Sequence, residues 1–274
     1  MDMMFRSHEF ILLLYFLSLS VLSYDLFFRN RLARKVSFYL VVIAAVLQVA
    51  TFIYIGVALG RIPIQTTFEG IYVFSALVVI IGLVHYSRSD SEIAFSLYVF
   101  CAFILFSIYT FAPVAYNRVT EVSAIMNELL VIHIVLALFA YVLYFISVIH
   151  AVIYIIQYDN LKKKRFNRLF FSLFSVEKAK KTMIRTLVLG VLFMLISISL
   201  GTQWGVYIFG TEIFRDFKVL GTLFVLILYT ALFFHLKVRK NTYQFAWFNI
   251  LIFIICMLNY LFITQLSSFH FWSY

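Results

Sequence analysis

Long apolar stretches alternate with short polar ones along the whole chain of 274 residues. Eight stretches stand out: 9 to 28, 36 to 59, 71 to 87, 93 to 113, 129 to 157, 183 to 203, 218 to 237 and 246 to 266. A helix rises about 1.5 Å per residue and needs about 20 mainly apolar residues to cross the roughly 30 Å hydrocarbon core of a bilayer. Each stretch therefore predicts a transmembrane helix, and the fold class is all-α: a polytopic bundle of about eight helices. No extended polar linker, low-complexity tract or repeat interrupts the pattern, so residues 1–274 read as a single membrane domain.

Composition removes the soluble alternative. The chain is 64% hydrophobic, only 12% charged and has 2 prolines, which leaves a water-soluble domain far too much apolar surface to cover. The first apolar run is preceded by a single basic residue, Arg6, and lacks a small-residue cleavage site, so it reads as a retained helix and not a removed signal.

Charge adds an orientation. Lysine and arginine are retained on the cytoplasmic side of short loops. All of the 22 except Arg6, Arg61, Arg118, Arg215 and Lys218 fall in alternate connections, 1-2, 3-4, 5-6 and 7-8. Both termini are then expected outside the cell membrane, with the 5-6 connection in the cytoplasm. The net charge of +10 is explained by this topology and by anionic headgroups at one face, without a nucleic-acid partner. Within the 5-6 connection, Asn160 to Lys181 mixes basic residues with Phe166, Leu169, Phe170, Phe171, Leu173 and Phe174. That is the pattern of a helix lying along the inner interface, either as an anionic-lipid anchor or as a docking surface for a cytoplasmic protein.

Candidate chemistry is sparse. No serine, histidine and acid arrangement, no phosphate-cradling glycine loop and no HExxH occurs, so enzyme activity is not expected. Cys101 and Cys256 lie inside predicted helices, form no CxxC and read as packing residues. The six histidines are more informative. His8, His133 and His270 fall at predicted outer helix ends, and His85, His150 and His235 toward the cytoplasmic half. Neutral imidazole ligates haem iron, and a membrane pocket supplies apolar walls for a porphyrin. His133 and His270 are expected at one depth, as two ligands of one iron would be. For each histidine alone, a hydrogen-bonded helix end is the plainer reading.

The segment Gly201 to Lys218, containing Trp204, Phe209, Gly210, Ile213, Arg215, Asp216 and Phe217, resembles a degenerate form of the tryptophan-rich WWD loop of the cytochrome c assembly (CcsA/CcmC) family. Gly201, Trp204, Gly210, Asp216 and Lys218 match, while Phe209, Ile213, Arg215 and Phe217 depart from the pattern. Pro63 to Glu69, Leu130 to His133 with Tyr141, Tyr229 with His235, and Phe269-His270 with Ser273-Tyr274 are similar to further family segments in the right order. Size and eroded tryptophans look most like the family's HemX branch.

The resemblance implies His133 and His270 as axial ligands of haem b on the extracytoplasmic side. It implies Trp204, Gly210 and Asp216 as parts of a haem-facing loop, and His235 as a histidine for haem within the membrane. It further implies a regulator of haem synthesis that limits glutamyl-tRNA reductase, with that enzyme or another cytoplasmic protein as partner. A haem-handling or transport subunit of a cytochrome c assembly system, or a non-haem membrane adaptor, remains open.

Three acids complete the reading. Asp25 is expected to be neutralised by nearby Arg29 and Arg31, since a charge buried in a bilayer is costly. Glu69 and Glu128 sit at helix starts, where a carboxylate complements the positive helix terminus. The 33 phenylalanines and 18 tyrosines are expected mostly at lipid-facing and interfacial positions.

Overall fold

A computed structural model describes residues 2–64, 66–89, 91–112 and 128–261. Eight of its helices are long and apolar enough to span a membrane. Each overlaps one of the eight apolar stretches, and the chain is an all-helical, multi-pass membrane protein. Large apolar side chains such as Phe27, Val57 and Val238 lie more than three-quarters exposed, which suits a hydrocarbon solvent. The chain divides into two compact units, residues 1–122 and 123–273.

The first unit contains α1 (Asp2–Phe28), α2 (Arg31–Leu59), α3 (Thr67–Ser89) and α4 (Glu92–Phe111). Helix α1 packs on α2 and α4, and α3 on α4. Its interior holds Tyr15, Phe95, Tyr98 and Phe106, together with a set of buried polar groups that bond to one another. Buried Gln48 is the centre of that network. Tyr15 donates to its Oε1 at 2.7 Å, its Nε2 donates to Ser75 Oγ at 2.7 Å, and Tyr72 donates to its backbone oxygen at 2.7 Å. Polar groups shielded from water must find such partners, because each one left unmade costs its full desolvation.

Charges at the two ends of this unit are also matched. Asp25 is fully buried and its Oδ2 accepts from Arg34 Nε at 3.0 Å, while Arg34 also pairs with Glu92. The partner is therefore Arg34, from the first turn of α2, and not the sequence-adjacent Arg29 and Arg31. At the other end, Thr66 and Glu69 form a capping box: Glu69 N–H donates to Thr66 Oγ1 and Thr66 N–H to Glu69 Oε2, both at 3.1 Å. Arg61 grips the same carboxylate bidentately at 3.1 and 2.8 Å. Capping of α3 by Glu69 is thus realised, with an arginine fork added.

The second unit contains α5 (Glu128–Lys162), short α6 (Arg168–Ser172), α7 (Val176–Phe209), a 3-10 turn (Gly210–Arg215), α8 (Phe217–Arg239) and α9 (Thr242–Leu261). Helices α5 and α7 run against each other along most of their length, and α9 packs on α5 and α8. At 35 residues, α5 is about 52 Å long, well beyond the hydrocarbon thickness. The interfacial helix expected across Asn160 to Lys181 is reduced to the five residues of α6. Its first residues instead extend α5, its last ones begin α7, and irregular backbone joins the three helices.

Candidate functional site

Among the described residues, the sequence-derived candidates gather in the second unit. His133 stands in the second turn of α5, half-buried against α7. Its Nδ1 lies 2.6 Å from the backbone oxygen of Ser197 and 3.0 Å from Ser197 Oγ, and that hydroxyl donates back to His133 O at 2.9 Å. A carbonyl oxygen only accepts, so Nδ1 carries a proton, and in the neutral ring the lone pair is then on Nε2. The imidazole also lies against Gly201, where a Cβ would stand 2.5 Å from Cε1 and 2.6 Å from Nδ1. Only glycine permits that approach.

Ser197 was not a sequence candidate. Its signal is the spacing Ser197, Gly201, Gly205, a stripe of small residues at every fourth position that lets two membrane helices close up. Further along the same contact, Gly190 lies under the ring of Tyr144, which stacks on Tyr229 at 4.3 Å, and Ser147 donates to Met183 O at 2.8 Å. The α5–α7 pair is thus registered from His133 to Ser147 by specific contacts.

The segment expected as a loop is almost wholly helical. Helix α7 continues to Phe209, and the 3-10 turn folds Ile213 onto Gly205, where any Cβ would collide with it. Trp204 is 5% exposed and packs edge-on against Phe209 at 5.6 Å, so its face is turned into protein. Gly210, with φ +66°, ends α7, and Asp216 caps α8 by accepting from Lys218 N–H at 2.9 Å and Val219 N–H at 3.3 Å. Gly210 and Asp216 therefore shape the turn that joins α7 to α8.

His235 lies about 27 Å along α8 from Phe217, at the opposite end of the unit from His133. Its ring meets Phe248 edge-on at 5.4 Å, and its buried Nδ1 has no hydrogen-bond partner among the described residues. His133 and His235 thus belong to different depths. His270, together with the closing stretch from Phe269, lies outside the described residues.

The remaining histidines sit in protein contacts. His8 is fully buried among the rings of Tyr72, Phe106 and Tyr109, His85 Nδ1 lies 3.2 Å from Tyr98 OH, and His150 donates to Ile146 O at 2.9 Å. Cys101 and Cys256 are both free thiols, Cys256 fully buried. No cluster of three or more histidine, cysteine, aspartate or glutamate side chains suited to a metal ion occurs among the described residues.

Comparison with known proteins gives the same frame. The family model described as cytochrome C assembly protein matches residues 6–270. The chain is 30% identical over 273 residues to "Protein HemX" of Bacillus subtilis (strain 168), covering 98% of each chain. It is 32% identical over 258 residues to "Protein HemX" of Brevibacillus brevis, covering 92% of this chain and 93% of that one. No solved structure matches.

Proposed function

Because the chain belongs to the cytochrome c assembly protein family, we propose that it is a HemX-like membrane protein that binds haem b at the end of the second unit where α5 begins. The observation that carries this reading is the held imidazole of His133. Metal-ligating histidines commonly donate their second ring N–H to a backbone carbonyl, which fixes the tautomer and raises the basicity of the ligating nitrogen. Ser197 O does this for His133, and Gly201 keeps the ring's orientation fixed.

His133 Nε2 would be one ligand of the haem iron, with His270 as the other. When bound, haem would supply an iron that imidazole nitrogen can ligate and an apolar surface for the surrounding side chains. His235, with its buried, unpartnered Nδ1, suits a separate contact deeper in the unit. The burial of Trp204 favours holding haem over presenting it on an open aromatic platform, and so favours a regulator over a delivery subunit of cytochrome c assembly.

In this reading the site faces outward across the cell membrane and the ends of α5 and α8 face the cytoplasm, as the lysine and arginine distribution supports. Haem occupancy would bias the α5–α7 pair, and a cytoplasmic partner would respond, lowering the level of glutamyl-tRNA reductase. Such a switch requires haem to bind two helix arrangements with different affinity.

The test is spectroscopic. The detergent-purified full chain should carry or take up haem with a Soret band and six-coordinate features, and His133→Ala and His270→Ala should each abolish them. A wild-type spectrum without haem, even after hemin is added, would sink the proposal.

A further inference from the structure

The connector between α5 and α7 is a built surface that the haem reading leaves unused. The apolar run of α5 ends at Gln157, so the residues that follow lie at headgroup level. Gln157 is 2% exposed, and its Nε2 donates to Phe170 O at 2.9 Å and to Phe174 O at 2.8 Å, fastening α6 down against α5. Phe174 is buried under this fastening, parallel to the His150 ring at 5.7 Å, with the Lys178 ammonium 4.8 Å from its centre. Asn167 caps α6 and Ser175 caps α7.

What this scaffold holds outward is specific. Lys162, Lys163, Lys164 and Arg165 are consecutive and exposed, and Lys181 and Arg185 are exposed on the first turns of α7. Among them, Phe166 is 55% and Phe171 72% exposed. At the base of the basic run, Asn160 Nδ2 is buried and has no acceptor among the described residues. A donor without an acceptor, several cations and two projecting aromatic rings thus share one end of a membrane-spanning helix pair.

We propose that this connector is a binding site for anionic phospholipid, with the headgroup phosphate among Lys163, Lys164, Arg165 and Asn160 and the rings of Phe166 and Phe171 in the acyl boundary. Charge complementarity selects the headgroup, and the exposed phenylalanines select a lipid over a soluble anion. The Gln157 fastening makes it a site and not a smear of charge, because it pins Phe170, whose ring lies 5.2 Å from that of Phe166 and 5.3 Å from that of Phe171.

The experiment is native mass spectrometry of the full chain in detergent, titrated with phosphatidylglycerol and with phosphatidylcholine. The wild type should retain phosphatidylglycerol preferentially. Lys163→Gln/Lys164→Gln/Arg165→Gln should lower that preference by at least about tenfold, and up to about a hundredfold, at low salt. Lys237→Gln/Arg239→Gln/Lys240→Gln, which removes the same charge from the end of α8, should change it far less. Gln157→Leu keeps every cation and should still weaken retention. Equal losses from the two triple variants would overturn the proposal in favour of general electrostatics. Full displacement of the lipid by inorganic phosphate would overturn it in favour of a free-anion site. Unchanged preference in the connector variant would overturn it and leave the surface to a soluble protein.

Discussion

Replacing Gly201 by alanine sets two effects of opposite sign against each other. The new Cβ would lie 2.5 Å from Cε1, 2.6 Å from Nδ1 and 3.0 Å from Nε2 of His133. Carbon atoms prefer roughly 3.5–4.0 Å, so the ring must retreat by about 1 Å. It cannot do so while Nδ1 stays 2.6 Å from Ser197 O. Overpacking of this kind costs about 1–3 kcal/mol, and a broken hydrogen bond adds about 1 kcal/mol. Against this, alanine in a helix interior is favoured over glycine by about 1 kcal/mol. The net expectation for Gly201→Ala is a loss of about 1–3 kcal/mol.

In a His133→Ala background the obstacle is gone and only the helix gain remains, so the same substitution should become neutral or stabilising. The coupling between the two positions should therefore reach about 2 kcal/mol or more, where unconnected sites add to within about 0.5 kcal/mol. Denaturant unfolding of wild type, both single variants and the double variant in one detergent measures it. An equal cost of Gly201→Ala in both backgrounds would refute the packing of His133 on Gly201, and with it the fixed imidazole on which haem ligation rests.

Two other perturbations probe the first unit. Arg34→Leu strands buried Asp25 and part-buried Glu92 and should destabilise by about 3 kcal/mol, a loss that added Asp25→Asn should partly reverse in thermal melts. Arg61→Lys removes a two-pronged grip on Glu69 that an ammonium cannot reproduce, so a cost of about 1–2 kcal/mol should appear in the same melts, while a change within error would mean that the α2–α3 turn is held by the capping box alone.

The spans were legible because bilayer thickness leaves hydropathy little choice of length. Their ends were less so: the sixth stretch stops near residue 203 by hydropathy, whereas α7 begins at Val176 and runs to Phe209. Glycines 201 and 205 fall in a segment expected as a loop from its resemblance to the family's WWD loop, and glycine suits turns as readily as close contacts. Here they are where α7 meets His133 and Ile213, and only the partner's position tells the two uses apart. For Asp25, the adjacent Arg29 seemed the natural counterion, yet it sits in a left-handed turn while Arg34, nine residues from Asp25 on the next helix, reaches the carboxylate. Ser197 carried no signal as a residue type, since a lone serine in an apolar run is unremarkable. Its role comes from a backbone oxygen, which hydropathy and motif patterns do not register.

Among the described residues, five positive-φ positions divide by residue type. In the first unit, Arg29 ends α1 and Gly60 ends α2; in the second, Lys164 and Lys240 follow α5 and α8, and Gly210 follows α7. Because successive spans run in opposite directions, each unit closes one face with glycine and the other with a cation. A side chain in the left-handed region costs roughly 1–2 kcal/mol that glycine does not. At these three turns the chain accepts the strained conformation with a residue whose positive charge also bears on which way a helix pair enters the bilayer. An engineer who swapped these three cations for glycine would obtain easier turns and a protein less sure of its own direction, its errors visible in inverted copies and not in unfolded ones.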